Sequence, residues 1–297
     1  MKKLIAFCLL ICLCLSGCVQ KEPTRNIIKT PPQKKLTSTQ SVQIEKTSTA
    51  SEPTIPIISQ STTIQEKKAI NYFNENIIFD FSYIKNDNTM LSYSLIKPTK
   101  EPDYEMPLIV FLHGLGEVGA GEPGYKTRSL TKILGNWEST PFNAYVMCPS
   151  LSNGGWNGPY IRDRLEKTLN DFIANNNVDV NKIIICGHSL GGIGTQYMAY
   201  ELQEYFSAQV IISGYGVNAK IEEITIPTRA YVGKQNCGED SNSVKYTHNT
   251  LKNIFGEESI FSLDAGHSPA LKMSFTLDED GNNKSDLLEW MFKQSKE

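Results

Sequence analysis

Lys182-Ile183-Ile184-Ile185-Cys186-Gly187-His188-Ser189-Leu190-Gly191 holds more structural information than any other stretch of this chain. The apolar, β-branched run predicts a buried strand. The stretch from Gly192 to Glu201 predicts a helix. Between them lies Gly-x-Ser-x-Gly, and strand, tight turn and helix is the context that gives this short motif meaning. The glycines let strand and helix pack closely on either side of a sharp turn. Such a turn lifts Ser189 Oγ clear of the sheet, which makes Ser189 the candidate nucleophile. A hydroxyl is a poor nucleophile alone, so a histidine and a carboxylate are required elsewhere.

The chain has four histidines: His113, His188, His248 and His267. His248 falls in a predicted surface helix over 242–255. His188 adjoins the nucleophile, but its side chain should point away from Ser189, so it is read as filling space rather than lining the site. His113 follows the buried-strand run Pro107–Leu112 and opens a glycine-rich loop, His113-Gly114-Leu115-Gly116. There it is expected to orient backbone rather than move protons. His267 follows the strand pattern Ser259–Asp264 through Ala265-Gly266, and it is the candidate general base.

Strand patterns recur at 77–84, 90–96, 107–112, 144–148, 182–186, 208–213, 228–232 and 259–263. Helical patterns fall near 130–136, 160–176, 191–205, 242–255 and 285–295. The first two strands read as an antiparallel hairpin. The alternation that follows predicts a mainly parallel sheet with helices on both faces. Ligands in such sheets bind beyond the carboxyl ends of the strands, where Ser189, His267 and Leu115 should all fall.

From Pro107 onward the chain resembles the predicted-peptidase and esterase branch of the α/β-hydrolases, similar to feruloyl and acetylxylan esterases and polyhydroxybutyrate depolymerases. The segments that carry the resemblance are PLIVFLHGLGEVG, VMCPSLSNGGW, VDVNKIIICGHSLGGIGTQYMA, DAGH and LLEWMFKQ. The resemblance implies that Pro107–Leu112 is the third strand and that the loop after it supplies half of an oxyanion hole. The implied donors are the backbone N–H groups of Leu115 and Leu190. It also implies an acid after the seventh strand, Thr228–Val232. In the loop Gly233-Lys-Gln-Asn-Cys-Gly-Glu239-Asp240, Asp240 is the first choice, Glu239 the runner-up and Asp264 a weaker third. Where the family commonly has Glu-Arg-Gly, this chain has Glu117-Val118-Gly119. Only 14 residues, Gly214 to Pro227, separate strands six and seven, so no large lid domain is expected. Tyr125, Trp137, Trp156 and Tyr160 are expected to rim an open cleft.

The N-terminus carries a different message. Met1-Lys-Lys3 is basic and Leu4–Leu15 apolar, which is a signal-peptide pattern too short for a membrane span. It ends in Leu15-Ser16-Gly17-Cys18, which closely resembles the lipobox of bacterial lipoproteins. That resemblance implies cleavage after residue 17, acylation of Cys18 and anchoring on the extracytoplasmic face of the cell membrane. Residues 18–68 are rich in Thr, Ser, Gln, Lys and Pro and predict a disordered tether. Its typical end-to-end distance would be roughly 40 Å. A single α/β domain is expected over 69–297.

Cys148 and Cys186 should end the fourth and fifth strands. With the third strand between them, a bond joining them is not expected. No Cys/His spacing suggests a metal site. The acidic run Asp278–Asn283 has its glycine misplaced for an EF-hand and reads as a solvated turn. A formal net charge of −3 gives no footprint for nucleic acid, and no cofactor is implied. The expectation is a membrane-tethered serine hydrolase acting on a small-molecule or polymer-linked ester. The alternatives are a serine peptidase on the same machinery and an inert surface binding module.

Overall fold

The computed structural model describes Ile70, Tyr72 and residues 78–119, 142–215, 220–235, 242–276 and 286–296. All of these belong to the unit Glu66–Glu297. Eight strands form one sheet: β1 (Phe79–Ile84), β2 (Tyr93–Pro98), β3 (Met106–Leu112), β4 (Tyr145–Pro149), β5 (Val178–His188), β6 (Ala208–Ile212), β7 (Thr228–Gln235) and β8 (Ile260–Gly266). Their order is β1-β2-β4-β3-β5-β6-β7-β8. β1 pairs antiparallel with β2, and β2 with β4. Every other pairing is parallel.

Strand burial explains why the central strands read so plainly. Every residue of β3, β4 and β6 is buried, because helices cover both faces of a parallel sheet. Alternate side chains of each strand enter different cores. Ile109, Phe111, Ile184, Cys186, Val210 and Ile212 pack on one face. Leu108, Val110, Leu112, Ile183 and Ile185 pack on the other.

The five described helices are α1 (Pro159–Asn175), α2 (Leu190–Glu201), α3 (Asn242–Phe255), α4 (His267–Thr276) and α5 (Leu287–Lys293). Leu165, Leu169 and Phe172 of α1, with Met198 and Ala199 of α2, cover the Leu108 face. Ala270, Leu271 and Phe275 of α4, with Leu287, Leu288, Met291 and Phe292 of α5, cover the Ile109 face. Among the described residues, no helix is long and apolar enough to cross a membrane.

Several expected boundaries move. The second strand of the hairpin runs Tyr93–Pro98 rather than 90–96. The helix expected over 191–205 ends at Glu201, and a separate 3₁₀ turn follows over Gln203–Tyr205. α4 is not among the helical patterns read from the sequence. Pro269 in its first turn is the start signal that was available. The helix expected near 130–136, the tether, the leader with Cys18, and Asp278–Asn283 lie outside the described residues.

Cys148 and Cys186 are buried thiols, not bonded to one another. β3 lies between their strands, with Phe111 paired to Cys186.

Candidate active site

The carboxyl ends of β3, β5 and β6 meet at Ser189, and that of β8 reaches its neighbour His188. The turn after β5 is forced by close packing. A Cβ on Gly191 would stand 1.8 Å from the Leu112 carbonyl oxygen, and one on Gly187 would stand 2.4 Å from the Gly191 oxygen. Those distances admit no side chain, so both positions must be glycine for α2 to seat against β3 and β5. Gly194 in turn accepts the Trp156 side chain, whose Cβ would lie 2.2 Å from a Cβ placed there.

At the apex Ser189 takes φ 58° and ψ −119°, a left-handed conformation that non-glycine residues avoid. Its N–H donates to the Ile212 oxygen at 2.9 Å, and its own carbonyl accepts the first bond of α2 from Ile193 N–H at 3.1 Å. Serine at a helix N-cap usually spends its hydroxyl on a nearby N–H. Here the side chain makes no such capping bond, and the half-buried Oγ is left to other work.

Ser213, just past β6, has φ 47°, and it and Ser189 are the two non-glycine residues with positive φ among those described. Its N–H donates to the Tyr231 oxygen at 2.8 Å, and the next residue, Gly214, packs against Gly192. Backbone strain of this kind costs about 1–3 kcal/mol per residue and concentrates at functional sites. Nothing in the sequence announced Ser213.

Leu115 begins a single 3₁₀ turn, Leu115–Glu117, after β3. His113 sets its orientation. The Leu151 N–H donates to His113 Nε2 at 3.1 Å, so that nitrogen is bare and the proton sits on Nδ1. Nδ1–H then donates to the Gly114 oxygen at 2.9 Å, which also accepts from Glu117 N–H at 3.1 Å. The Gly114 carbonyl and the Leu115 N–H belong to one trans peptide and point in opposite directions. Holding the carbonyl on the His113 ring therefore aims the Leu115 N–H away from it. The same loop lies beside Ser189, since a Cβ on Gly114 would sit 3.5 Å from Ser189 Cβ. Leu190 is the first residue of α2, so its N–H precedes the intrahelical ladder.

Trp156 does not rim a cleft as expected. It is 1% exposed, its Nε1–H donates to the His113 oxygen at 3.0 Å, and its ring meets His113 edge-on at 5.0 Å. The indole is a prop beneath the loop of Leu115. Tyr160 lies in the first turn of α1 rather than in a loop; it is 61% exposed, and its hydroxyl donates to the Asn88 oxygen. Tyr125 and Trp137 lie outside the described residues.

His267 stands at the start of α4, half-buried, immediately after β8. Burial lowers its pKa from the ordinary imidazole range, so the ring is neutral at pH 7 and able to accept a proton. The group against it is His188. His188 Nε2 lies 2.9 Å from the His267 carbonyl oxygen. A carbonyl only accepts, so Nε2 carries the proton. The two rings lie 4.8 Å apart at 45°. Expected to fill space, His188 instead joins the residue beside Ser189 to the start of α4.

Burial, aided by charge repulsion from His267, pushes the His188 pKa down to about 4. The unfolded ring titrates near 6.5, so between those values the unfolded chain holds more protons. Stability is therefore full above pH 6.5 and falls as pH drops toward 4, by about 3 kcal/mol at most. Urea unfolding at pH 7 and pH 4.5 should show this loss in the wild type and a much smaller one in His188→Gln.

Asp240 and Glu239 lie outside the described residues. Asp264 is described: its exposed carboxylate on β8 accepts from Gln235 Nε2 at 2.8 Å, which commits it to the neighbouring strand. Among the described residues, no group of three or more His, Cys, Asp or Glu is placed to hold a metal ion.

The fold recurs in solved structures. The chain is similar to a thermostable esterase, with a TM-score of 0.53 and 21% identity over 73% of this chain. The chain spans 63% of that protein's length. It is also similar to FphF, a fluorophosphonate-binding serine hydrolase of Staphylococcus aureus, with a TM-score of 0.53 and 13% identity, covering 73% of this chain and 99% of the other. A ferulic acid esterase follows with a TM-score of 0.51 and 13% identity, covering 68% and 96%. The chain has the α/β-hydrolase fold. At these identities the likeness is one of architecture. No protein-family model and no curated protein matches the sequence. Ser189 stands at the strand-to-helix turn after β5, and Leu115 in the loop after β3.

Proposed function

We propose that this chain is a serine hydrolase of carboxylic esters, with Ser189 as nucleophile, His267 as general base and Asp240 as the acid. The backbone N–H groups of Leu115 and Leu190 form the oxyanion hole. The observation that carries the reading is Ser189 itself, strained at φ 58° on a glycine-walled elbow with its hydroxyl uncommitted to its own helix. Esterase neighbours in fold space favour an ester over a peptide bond as the target.

In this mechanism His267 takes the Ser189 proton as Oγ attacks the ester carbonyl. The oxygen of the tetrahedral adduct gains negative charge, which the two N–H groups stabilise without reorganising. Collapse of the adduct breaks the C–O bond, and His267 hands its proton to the departing alcohol. Water, deprotonated by His267, then attacks the acyl-enzyme; collapse of the second adduct breaks the bond to Oγ, which takes its proton back from His267 as the acid leaves. Asp240 holds the base in one tautomer and stabilises the imidazolium formed twice in the cycle.

The test is a panel of p-nitrophenyl esters, acetylated sugars, feruloyl esters and peptides, assayed with the whole chain. Turnover of esters with none of peptides supports the reading. Turnover of peptides alone moves the chain to the peptidases, and turnover of neither leaves a binding module.

The leader gives the enzyme its place. Cleavage after residue 17 and diacylation of Cys18 would anchor the chain on the extracytoplasmic face of the membrane. Two acyl chains suffice for stable attachment, at ~0.8 kcal/mol per buried methylene. Residues 18–68 would then let the domain search nearby polymer for esters. Cys18→Ala should leave a longer, unacylated precursor by mass spectrometry. A mature wild-type protein that begins elsewhere and carries no lipid would refute the anchor.

A further inference from the structure

His188 connects three parts of the site. It is the last residue of β5 and the immediate neighbour of Ser189. Its Nε2–H donates to the main-chain oxygen of His267, and its ring packs tilted on the His267 ring at 4.8 Å. Its Nδ1 edge lies beside Gly114, 3.7 Å from where a Cβ would stand. The ring is 7% exposed, so water does not compete for the bond to His267. A base hung on the first residue of a helix depends on where that helix begins. The hydrogen bond fixes the peptide that carries the base, and the ring contact limits how the imidazole can rotate.

We propose that His188 is a positioning residue, which docks the start of α4 on the nucleophile elbow and holds the His267 ring in reach of Ser189. The proposal rests on the serine-hydrolase reading for its kinetic consequence but not for its structural one. His188 makes no contact with substrate and moves no proton in the cycle. A neutral donor is what the role needs, and its depressed pKa keeps the ring neutral through the range in which a serine hydrolase works.

Three proteins test this: wild type, His188→Phe and His188→Gln. Phenylalanine keeps an aromatic ring and removes the donor; glutamine keeps an N–H donor and removes the ring. A small displacement of a catalytic group costs up to about 100-fold in rate. In His188→Phe, kcat should fall about 10- to 100-fold with KM unchanged within about threefold. His188→Gln should recover most of that loss. The ring nitrogens of His267 should be read by ¹⁵N NMR in all three, assigned against His267→Gln. One tautomer should dominate in wild type and His188→Gln, and the signals should average in His188→Phe. Should phenylalanine prevent folding, His188→Leu removes the donor in its place. Unaltered His267 signals across the series would overturn the proposal, as would full kcat in the donor-less variant. A wild type with no turnover would count against the hydrolase reading alone, and the NMR comparison would still decide the role of His188.

Discussion

Replacing Ser189 with alanine should abolish ester turnover, a loss on the order of 10⁶ in kcat. The fold should survive. Alanine suffers the same left-handed φ of 58° as serine, and Oγ makes no capping bond to lose. Its thermal unfolding should match the wild type. Ser189→Gly offers a sharper contrast. Glycine adopts positive φ without the steric penalty, so this variant should be equally inactive yet more stable by about 1 kcal/mol. Stability gained at the cost of all activity would mark Ser189 as strained for function. If Ser189→Ala keeps wild-type turnover, the elbow is an ordinary turn and the mechanism fails.

The second large effect concerns the acid. Asp240→Asn should cost about 10⁴ in turnover, the scale expected when the histidine tautomer is no longer held. Glu239→Gln should cost less than about tenfold, as befits a nearby solvated charge. Both residues come within five positions of the end of β7 at Gln235. Adjacent side chains point in different directions, so one carboxylate should face His267. Asp240 is favoured because it stands just before α3, where backbone N–H groups can fix a short carboxylate. Asp264 is drawn away by Gln235, so Asp264→Asn should leave turnover near wild type. The reverse ranking of Asp240→Asn and Glu239→Gln would move the acid to Glu239. Full activity in both would remove this loop from the mechanism.

What the sequence made legible follows from physics that acts locally. Ile183–Cys186, Leu108–Leu112 and Ala208–Ile212 are continuous apolar runs because their strands are covered on both faces. Gly187 and Gly191 could be read as turn residues, although the oxygens that forbid a side chain there were visible only once β3 and α2 were in place. What stayed hidden depends on contacts across long spans of chain. Trp156 lies in a loop, as its surroundings suggest, but its burial comes from Gly194 and the His113 carbonyl. His188 carries no local mark of its role, because its partner, His267, lies 79 residues away. Left-handed Ser213 is equally silent, since serine has no preference for that conformation.

The central claim is that Ser189 is a nucleophile activated by His267. Its most direct test is labelling of the intact wild-type protein with a fluorophosphonate probe at pH 7, followed by peptide mapping. One adduct per chain is predicted, on the peptide containing Ser189, and it should be absent from His267→Gln. An adduct on a different residue, or equal labelling of wild type and His267→Gln, would contradict the account.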